Sequence, residues 1–363
     1  MNKDILLIPL KIKVVCLIIF LFIFLLYIIL IIIPNNRQNN PGELFQNSII
    51  LLFLIINNFK DAKTKRNFVY IEDKNLFYFS NKKPINISLS SDNTHVFPTL
   101  IVMLSILENN DKNQHIIIFY LLLSDDFNNS NIYIFESLKK KYEVIINYYF
   151  IPNIFKSLIK WRGSVAIYYK LFIPLLFPDI KRMIHLDGDT IVFKDLWEMF
   201  NLPFKNNYIL AQRTRLHIFK DKIVEKHQIN AGVILFNIEK IREENKDFEI
   251  LYFLFKNKFT EQEALNYAIP PQIGYLPFKY GLWFMGNIAK FKKYMEYSKS
   301  ERINITELQE ALIEPAIVHV LLCYRKHWNR QKKNVNCKKY NKLFYYYANK
   351  TDYFQQIYNL YMK

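Results

Sequence analysis

Two carboxylates carry the strongest chemical signal in the chain. Asp187 and Asp189 flank Gly188 within Met183-Ile-His-Leu-Asp-Gly-Asp-Thr-Ile-Val-Phe-Lys-Asp-Leu196, between an apolar run ending at Leu186 and a second from Ile191 to Phe193. The pattern reads as a buried strand that ends in a tight turn. Ligands of open α/β sheets bind at strand ends, and two acidic oxygens there suit a hard divalent cation shared with a diphosphate. Gly188 lets the backbone pass close to such a ligand. The plainer reading of Asp-Gly, a turn with solvated carboxylates, uses the same residues.

Three other segments hold polar side chains that could meet a ligand. Ser90-Ser-Asp-Asn-Thr-His95 follows a strand-like run. The Asp92 carboxylate could accept from a ligand N–H or hydroxyl, or could cap the next helix. In Ile229-Asn-Ala-Gly-Val233, Ala231 and Gly232 are small enough for backbone amides to approach a ligand, and Asn230 offers both donor and acceptor. Thr260-Glu-Gln-Glu-Ala-Leu-Asn266 sets acids at a helix start, where the macrodipole alone favours them.

Together these segments resemble glycosyltransferase family 8, from about Asn86 to Trp328. The family's central segment is an apolar strand, Y-L-D-x-D, further apolar residues and D-L; here His185 takes the aromatic position. The resemblance implies a GT-A type nucleotide-diphospho-sugar transferase domain, α/β with a mixed central sheet. It implies an enzyme that moves a hexose, glucose or galactose, from a UDP-sugar to a glycan, glycolipid or glycoprotein acceptor with retention of configuration. Asp92, Thr94 and His95 would then line the nucleoside pocket, with Asp187 and Gly188 at the donor. Asn230, Ala231 and Gly232 match the family's N-A-G-V segment and would hold the sugar. Tyr168-Tyr-Lys-Leu-Phe172 matches its Y-x-R-L segment, with Lys170 in place of Arg, which keeps the charge but loses the bidentate fork. Glu261 and Gln262 match the start of D-Q-D-x-L-N and would sit beside the anomeric carbon, Gln262 as nucleophile or positioning group.

The stretch from Pro315 to Trp328 resembles the family's closing H-x-x-G-x-x-K-P-W. By that match His319 completes a metal shell with Asp187 and Asp189, a set suited to Mn²⁺, with Mg²⁺ as the alternative. Lys326, chosen over Arg325 by its spacing to Trp328, would face the departing diphosphate. Leu322 stands where Gly is usual, His327 replaces Pro, and the segment is one residue longer. With Lys170 and Glu261, these departures keep a second possibility open: a catalytically impaired member acting as a nucleotide-sugar-binding scaffold.

The elements that must position these residues alternate between short strands and helices, the mark of an α/β sheet. Strands are expected at Ile85–Leu89, Ile116–Leu123, Glu143–Phe150, Met183–Leu186, Tyr208–Gln212 and Ala231–Asn237. Helices are expected at Pro98–Glu108, Ile132–Lys141, Gly163–Phe177, Glu239–Phe255 and Glu261–Ala268. A last helix, Leu343–Met362, spaces Leu343, Tyr347, Phe354, Tyr358 and Tyr361 for core packing. The division expected is a cytosolic tail at 1–13, an anchor at 14–33, a stem at 34–84, the catalytic domain at 85–330 and a C-terminal helical extension at 331–363.

Composition narrows the class. The chain has 363 residues, 51% of them apolar, and only 7 glycines. Neither a dinucleotide-binding glycine fingerprint nor a P-loop is present. A net charge of +17 suits an anionic partner, but no nucleic-acid-binding motif accompanies it, so nucleic acid is not expected. Cys323 and Cys337 could form a disulfide or remain free thiols, and among the sequons Asn128 is the best placed. Val14 to Ile33 is a run of 20 residues without charge, about the length that spans a bilayer, and lysines precede it. The expectation is a single-pass type II membrane protein of the Golgi or secretory pathway.

Overall fold

The structure, a computed structural model, describes residues 81–155, 158, 160, 163–177, 179–213, 218–219, 222–223, 229–282, 305–320 and 338–361. The chain divides into two compact units, Met1–Asn57 and Asn58–Lys363, and every described residue lies in the second. The run 14–33, Leu322, Cys323, Lys326, His327 and Cys337 lie outside the described residues. The elements, in order, are β1 (Lys83–Ser91), α1 (Val96–Asn109), β2 (His115–Ser124), α2 (Asn129–Glu136), β3 (Val144–Ile151), β4 (Arg182–Leu186), β5 (Thr190–Val192), β6 (Ile209–Arg213), β7 (Ile218–Phe219), β8 (Lys222–Ile223) and β9 (Ile229–Asn237). Then follow α3 (Ile238–Glu243), α4 (Lys246–Asn257), α5 (Glu261–Ala268), β10 (Ile273–Tyr275), β11 (Tyr280–Leu282), α6 (Ile305–Ile313), β12 (Ile317–His319), α7 (Lys338–Ala348) and α8 (Phe354–Tyr361).

A mixed seven-stranded sheet, ordered β10-β6-β9-β4-β1-β2-β3, is the frame. β3, β2, β1 and β4 run parallel, and β2 is buried along its whole length, as a parallel strand covered on both faces must be. β9 runs antiparallel to both β4 and β6. β2 lies on one side of β1 and β4 on the other, so the winding changes direction there and a ligand crevice opens at their carboxyl ends. Because β9 is reversed, its amino end arrives at that same crevice. A second, three-stranded sheet, β11-β12-β5, carries the chain from Asp189 back to His319.

Several expectations are corrected. Gly163–Phe177 is not one helix: a 3-10 segment, Ala166–Phe172, leads into a single helical turn, Ile173–Leu176. Pro174 has no N–H to continue the helix ladder. Glu239–Phe255 divides into α3 and α4 at Asn245, whose φ of 54° lies in the left-handed region that Asn tolerates better than most residues. The C-terminal helix likewise divides, into α7 and α8. Its buried residues are Phe344, Tyr347, Ala348 and Ile357, whereas Tyr358, expected in the core, is 39% exposed.

The expected type II anchor and Golgi location are also not upheld. Among the described residues no helix is long and apolar enough to cross a membrane.

The C-terminal pair docks on α1. Tyr347 Oη donates to the Val192 carbonyl at 3.4 Å, and Asn109 Nδ2 donates to both Val192 O (3.1 Å) and Tyr347 Oη (3.0 Å). Lys350 pairs with Glu108 beside them. Phe344, with no exposed surface, is the apolar anchor of this contact. Phe344→Ala should therefore lower unfolding free energy by about 3–5 kcal/mol, measured by urea denaturation.

Candidate active site

β4 ends at Leu186, and the chain turns through Asp187-Gly188-Asp189 into β5. Thr190 closes the turn by donating its N–H (3.1 Å) and its hydroxyl (2.9 Å) to the Asp187 carbonyl. Asp187 N–H donates to Gly232 O at 2.8 Å, which ties the turn to the start of β9. A Cβ on Gly188 would meet Thr99 Oγ1 at 3.7 Å and Pro98 Cβ at 4.0 Å, ordinary contacts. Its protein neighbours thus leave room for a side chain.

β12 pairs antiparallel with β5 and sets His319 opposite Thr190. The buried imidazole brings Nε2 to 3.0 Å from Asp189 Oδ1, while its Nδ1 is buried without a hydrogen-bond partner. One ligand atom from each of Asp187, Asp189 and His319 lies within 4.8 Å of the others. Burial pushes the His319 imidazole down to about 4, with Asp187 opposing and Lys170 reinforcing the shift, so the ring is neutral at pH 7 and keeps a lone pair. Two carboxylates and a neutral imidazole with an orphaned nitrogen fit a divalent cation such as Mn²⁺. Gly232 supports this arrangement by its absence of a side chain, since a Cβ there would overlap the His319 ring.

Lys170, from the 3-10 segment, has no exposed surface. Its ammonium donates to Asp187 Oδ1 at 2.6 Å and to the Ala231 carbonyl at 2.8 Å. Burial alone would push the Asp187 carboxyl up, but the charge of Lys170, then the hydrogen bond from His185, hold it far below the usual carboxylate range. His185 Nε2 lies 3.4 Å from the same Oδ1. The charge that Lys170 retains in place of Arg is thus directed at Asp187 itself.

At the start of β9, Asn230 Oδ1 accepts from Gly232 N–H at 2.9 Å. Gln262 Oε1 lies 3.4 Å from both Asn230 Nδ2 and Ala231 N. The two acids of this segment separate: Glu263 completes a capping box with Thr260, whereas Glu261 is partly buried toward Lys170 and Asp187. Burial pushes the Glu261 carboxyl up, Lys170 pulls it down and the Asp187 charge raises it again, leaving it above its ordinary value.

Asp92, Thr94 and His95 emerge at the carboxyl end of β1, one strand from Asp187. Asp92 Oδ1 accepts from Thr94 N (2.9 Å), Thr94 Oγ1 (2.7 Å), His95 N (3.1 Å) and His95 Nδ1 (2.7 Å). His95 is the N-cap position of α1 and makes no side-chain cap bond, so Asp92 orders the loop rather than capping the helix. Burial works against the Asp92 charge, yet the His95 hydrogen bond and charge outweigh it and hold the carboxyl well below its usual range.

Glycosyl transferase family 8 matches residues 86–332. The chain belongs to that family. A Haemophilus influenzae protein named as a candidate glycosyltransferase is 26% identical over 198 residues, 50% of this chain and 58% of its own length. Solved glycosyltransferase structures share the fold. The bifunctional glycosyltransferase WbbM superposes with a TM-score of 0.59 at 21% identity, over 77% of this chain and 52% of its own. LgtC, a galactosyltransferase solved with donor and acceptor sugar analogues, gives 0.57 at 16% identity, over 72% of this chain and 95% of its own. Among the described residues, the segments that resemble family 8 thus meet at one end of the sheet; Lys326 lies outside the described residues. The polar pair the sequence reading missed is Ser88 and His185. Its one available signal was a histidine two positions before Asp187, on the same side of the strand.

Two measurements follow. Gly232→Ala must displace His319, and Mn²⁺ affinity by calorimetry should fall about 10–100-fold. A carboxyl whose folded pKa is depressed contributes stability above its unfolded pKa and loses it as pH falls toward the folded value. Asp92→Asn should therefore cost on the order of 1–2 kcal/mol at pH 7. The gap to wild type should narrow below about pH 4, read by urea titrations at each pH.

Proposed function

We propose that the chain is a retaining, Mn²⁺-dependent hexosyltransferase that moves glucose or galactose from a UDP-sugar to a carbohydrate-bearing acceptor. The observation that carries the reading is the convergence of Asp187, Asp189 and His319 within 4.8 Å at the crevice edge. Donor and acceptor sugar analogues in the LgtC structure support a sugar-nucleotide donor by kinship.

In this reading Asp187, Asp189 and His319 hold the cation together with the donor diphosphate. When bound, the cation supplies positive charge against the negative charge that develops on the diphosphate. Asn230 and the small residues Ala231 and Gly232 present polar groups to the sugar hydroxyls. Gln262, beside Asn230 and Ala231, and Glu261 face the anomeric carbon. There the bond to the diphosphate oxygen breaks, and the bond to the acceptor oxygen forms on the same face. Asp92, Thr94 and His95 line the nucleoside end, and Lys326 reaches the leaving diphosphate.

The test is UDP release by the full chain from a panel of UDP-sugars, with Mn²⁺ and with chelator. One donor should turn over, and chelator or Asp189→Asn should reduce the rate at least about 100-fold, as loss of several kcal/mol of charge stabilisation requires. Mn²⁺-dependent UDP binding without turnover of any donor would mark a nucleotide-sugar-binding scaffold instead. Absence of UDP binding would overturn the donor assignment.

A further inference from the structure

Behind Asp187 lies a row of buried polar atoms that the proposed chemistry does not use. Ser88 of β1 and His185 of β4 are cross-strand partners, and neither has any exposed surface. Ser88 Oγ is 3.0 Å from His185 Nδ1, and His185 Nε2 is 3.4 Å from Asp187 Oδ1. An ionised carboxylate only accepts hydrogen bonds. His185 Nε2 therefore carries the proton, and Nδ1 accepts from the Ser88 hydroxyl. The longer 3.4 Å approach of Ser88 Oγ to Ile184 O is the lesser alternative for that hydroxyl.

The order Ser–His–Asp is that of a nucleophilic relay, but an acyl group cannot reach a serine with no exposed surface. The row ends at Asp187, and its effect must be exerted there. Lys170 already donates to the same Oδ1 at 2.6 Å. One donor leaves a carboxylate able to swing about its last torsion, whereas two donors from different directions fix its plane. A hydrocarbon ring would fill the His185 site without the cost of burying two polar nitrogens, so the polar ring is best explained by what it holds.

Resting on the reading of Asp187 as a metal ligand, we propose that His185, oriented by Ser88, is a positioning residue that fixes the rotation of the Asp187 carboxylate for cation binding. The bond at 3.4 Å is longer than that from Lys170, so His185 refines a rotation that Lys170 largely sets.

The test is Mn²⁺ titration of the full chain in the presence of UDP, by calorimetry and by the electron paramagnetic resonance signal of free Mn²⁺. His185→Phe keeps an aromatic ring and loses both hydrogen bonds; its Kd for Mn²⁺ should rise about 10-fold, the lower end for a group that orients a ligand. His185→Gln returns an amide donor and should restore affinity to within about threefold of wild type, a deficit under 1 kcal/mol. The double variant Ser88→Ala/His185→Phe leaves no stranded hydroxyl, so it should fold even where the single change does not, and should show the same weakened binding. Wild-type affinity in His185→Phe or in the double variant would overturn the proposal. Equal weakening in His185→Gln and His185→Phe would also overturn it, by showing that ring packing and not the hydrogen bond matters. A wild-type chain that takes up no Mn²⁺ with UDP would instead overturn the metal-ligand reading on which it rests.

Discussion

An ammonium ion with no exposed surface sits at the centre of this structure. Lys170 is stripped of water, and a charge in that position survives only if charged and polar acceptors replace its hydration. Asp187 and the Ala231 carbonyl do so. The requirement binds three separate pieces of chain: the 3-10 segment, the end of β4 and the start of β9. Removing one partner of such a buried pair costs about 3–5 kcal/mol, because the other charge is left uncompensated. Asp187 is therefore a structural residue as well as a candidate ligand, and a loss of binding on its substitution would be mixed with a loss of fold. Asp189, next to His319 on the other side of the turn, separates the two effects better.

Topology does the rest of the positioning. Parallel β1 and β4 end side by side, which places Asp92 and Asp187 at one edge. The reversed β9 brings Asn230, Ala231 and Gly232 to that edge from the opposite direction, and α5 follows with Glu261 and Gln262. The small sheet completes the set by pairing β12 with β5, so that His319 reaches the far side of the Asp187–Asp189 turn. Each of the three candidate metal ligands is held through the backbone of its own strand or turn: Asp187 N–H on Gly232, Asp189 O on Val320 N–H, and His319 opposite Thr190.

Much of this was legible in the sequence, and the reasons are local. Buried parallel strands announce themselves as apolar runs, and β2, β4 and β9 could be placed within a few residues. The α5 helix was legible to its bounds, and the capping box of Thr260 and Glu263 that closes its start was seen only in the structure. What failed were the breaks inside long helical patterns. Asn245 and the Asn349-Lys350-Thr351 turn interrupt apolar periodicity without a glycine or proline to mark them. Gly163–Phe177 failed differently, since Pro174 stands inside its helical pattern and removes an N–H from the ladder. Long-range pairing was the least visible feature: the sequence showed Lys170 and His185 only as departures from a family pattern. That both converge on one oxygen of Asp187 depends on tertiary contacts that no local spacing encodes.

His319 and Asp189 stand 130 positions apart, and Asn109 meets Tyr347 across 238. Loop-closure entropy for such contacts must be overcome before any of them returns energy, and sheets built from distant strands fold slowly for this reason. The three candidate ligands therefore come together only when β4, β5, β9 and β12 are all paired. A cation held by all three would thus tie together strands that lie far apart in the chain, which a metal in a small metal-dependent domain does not have to do.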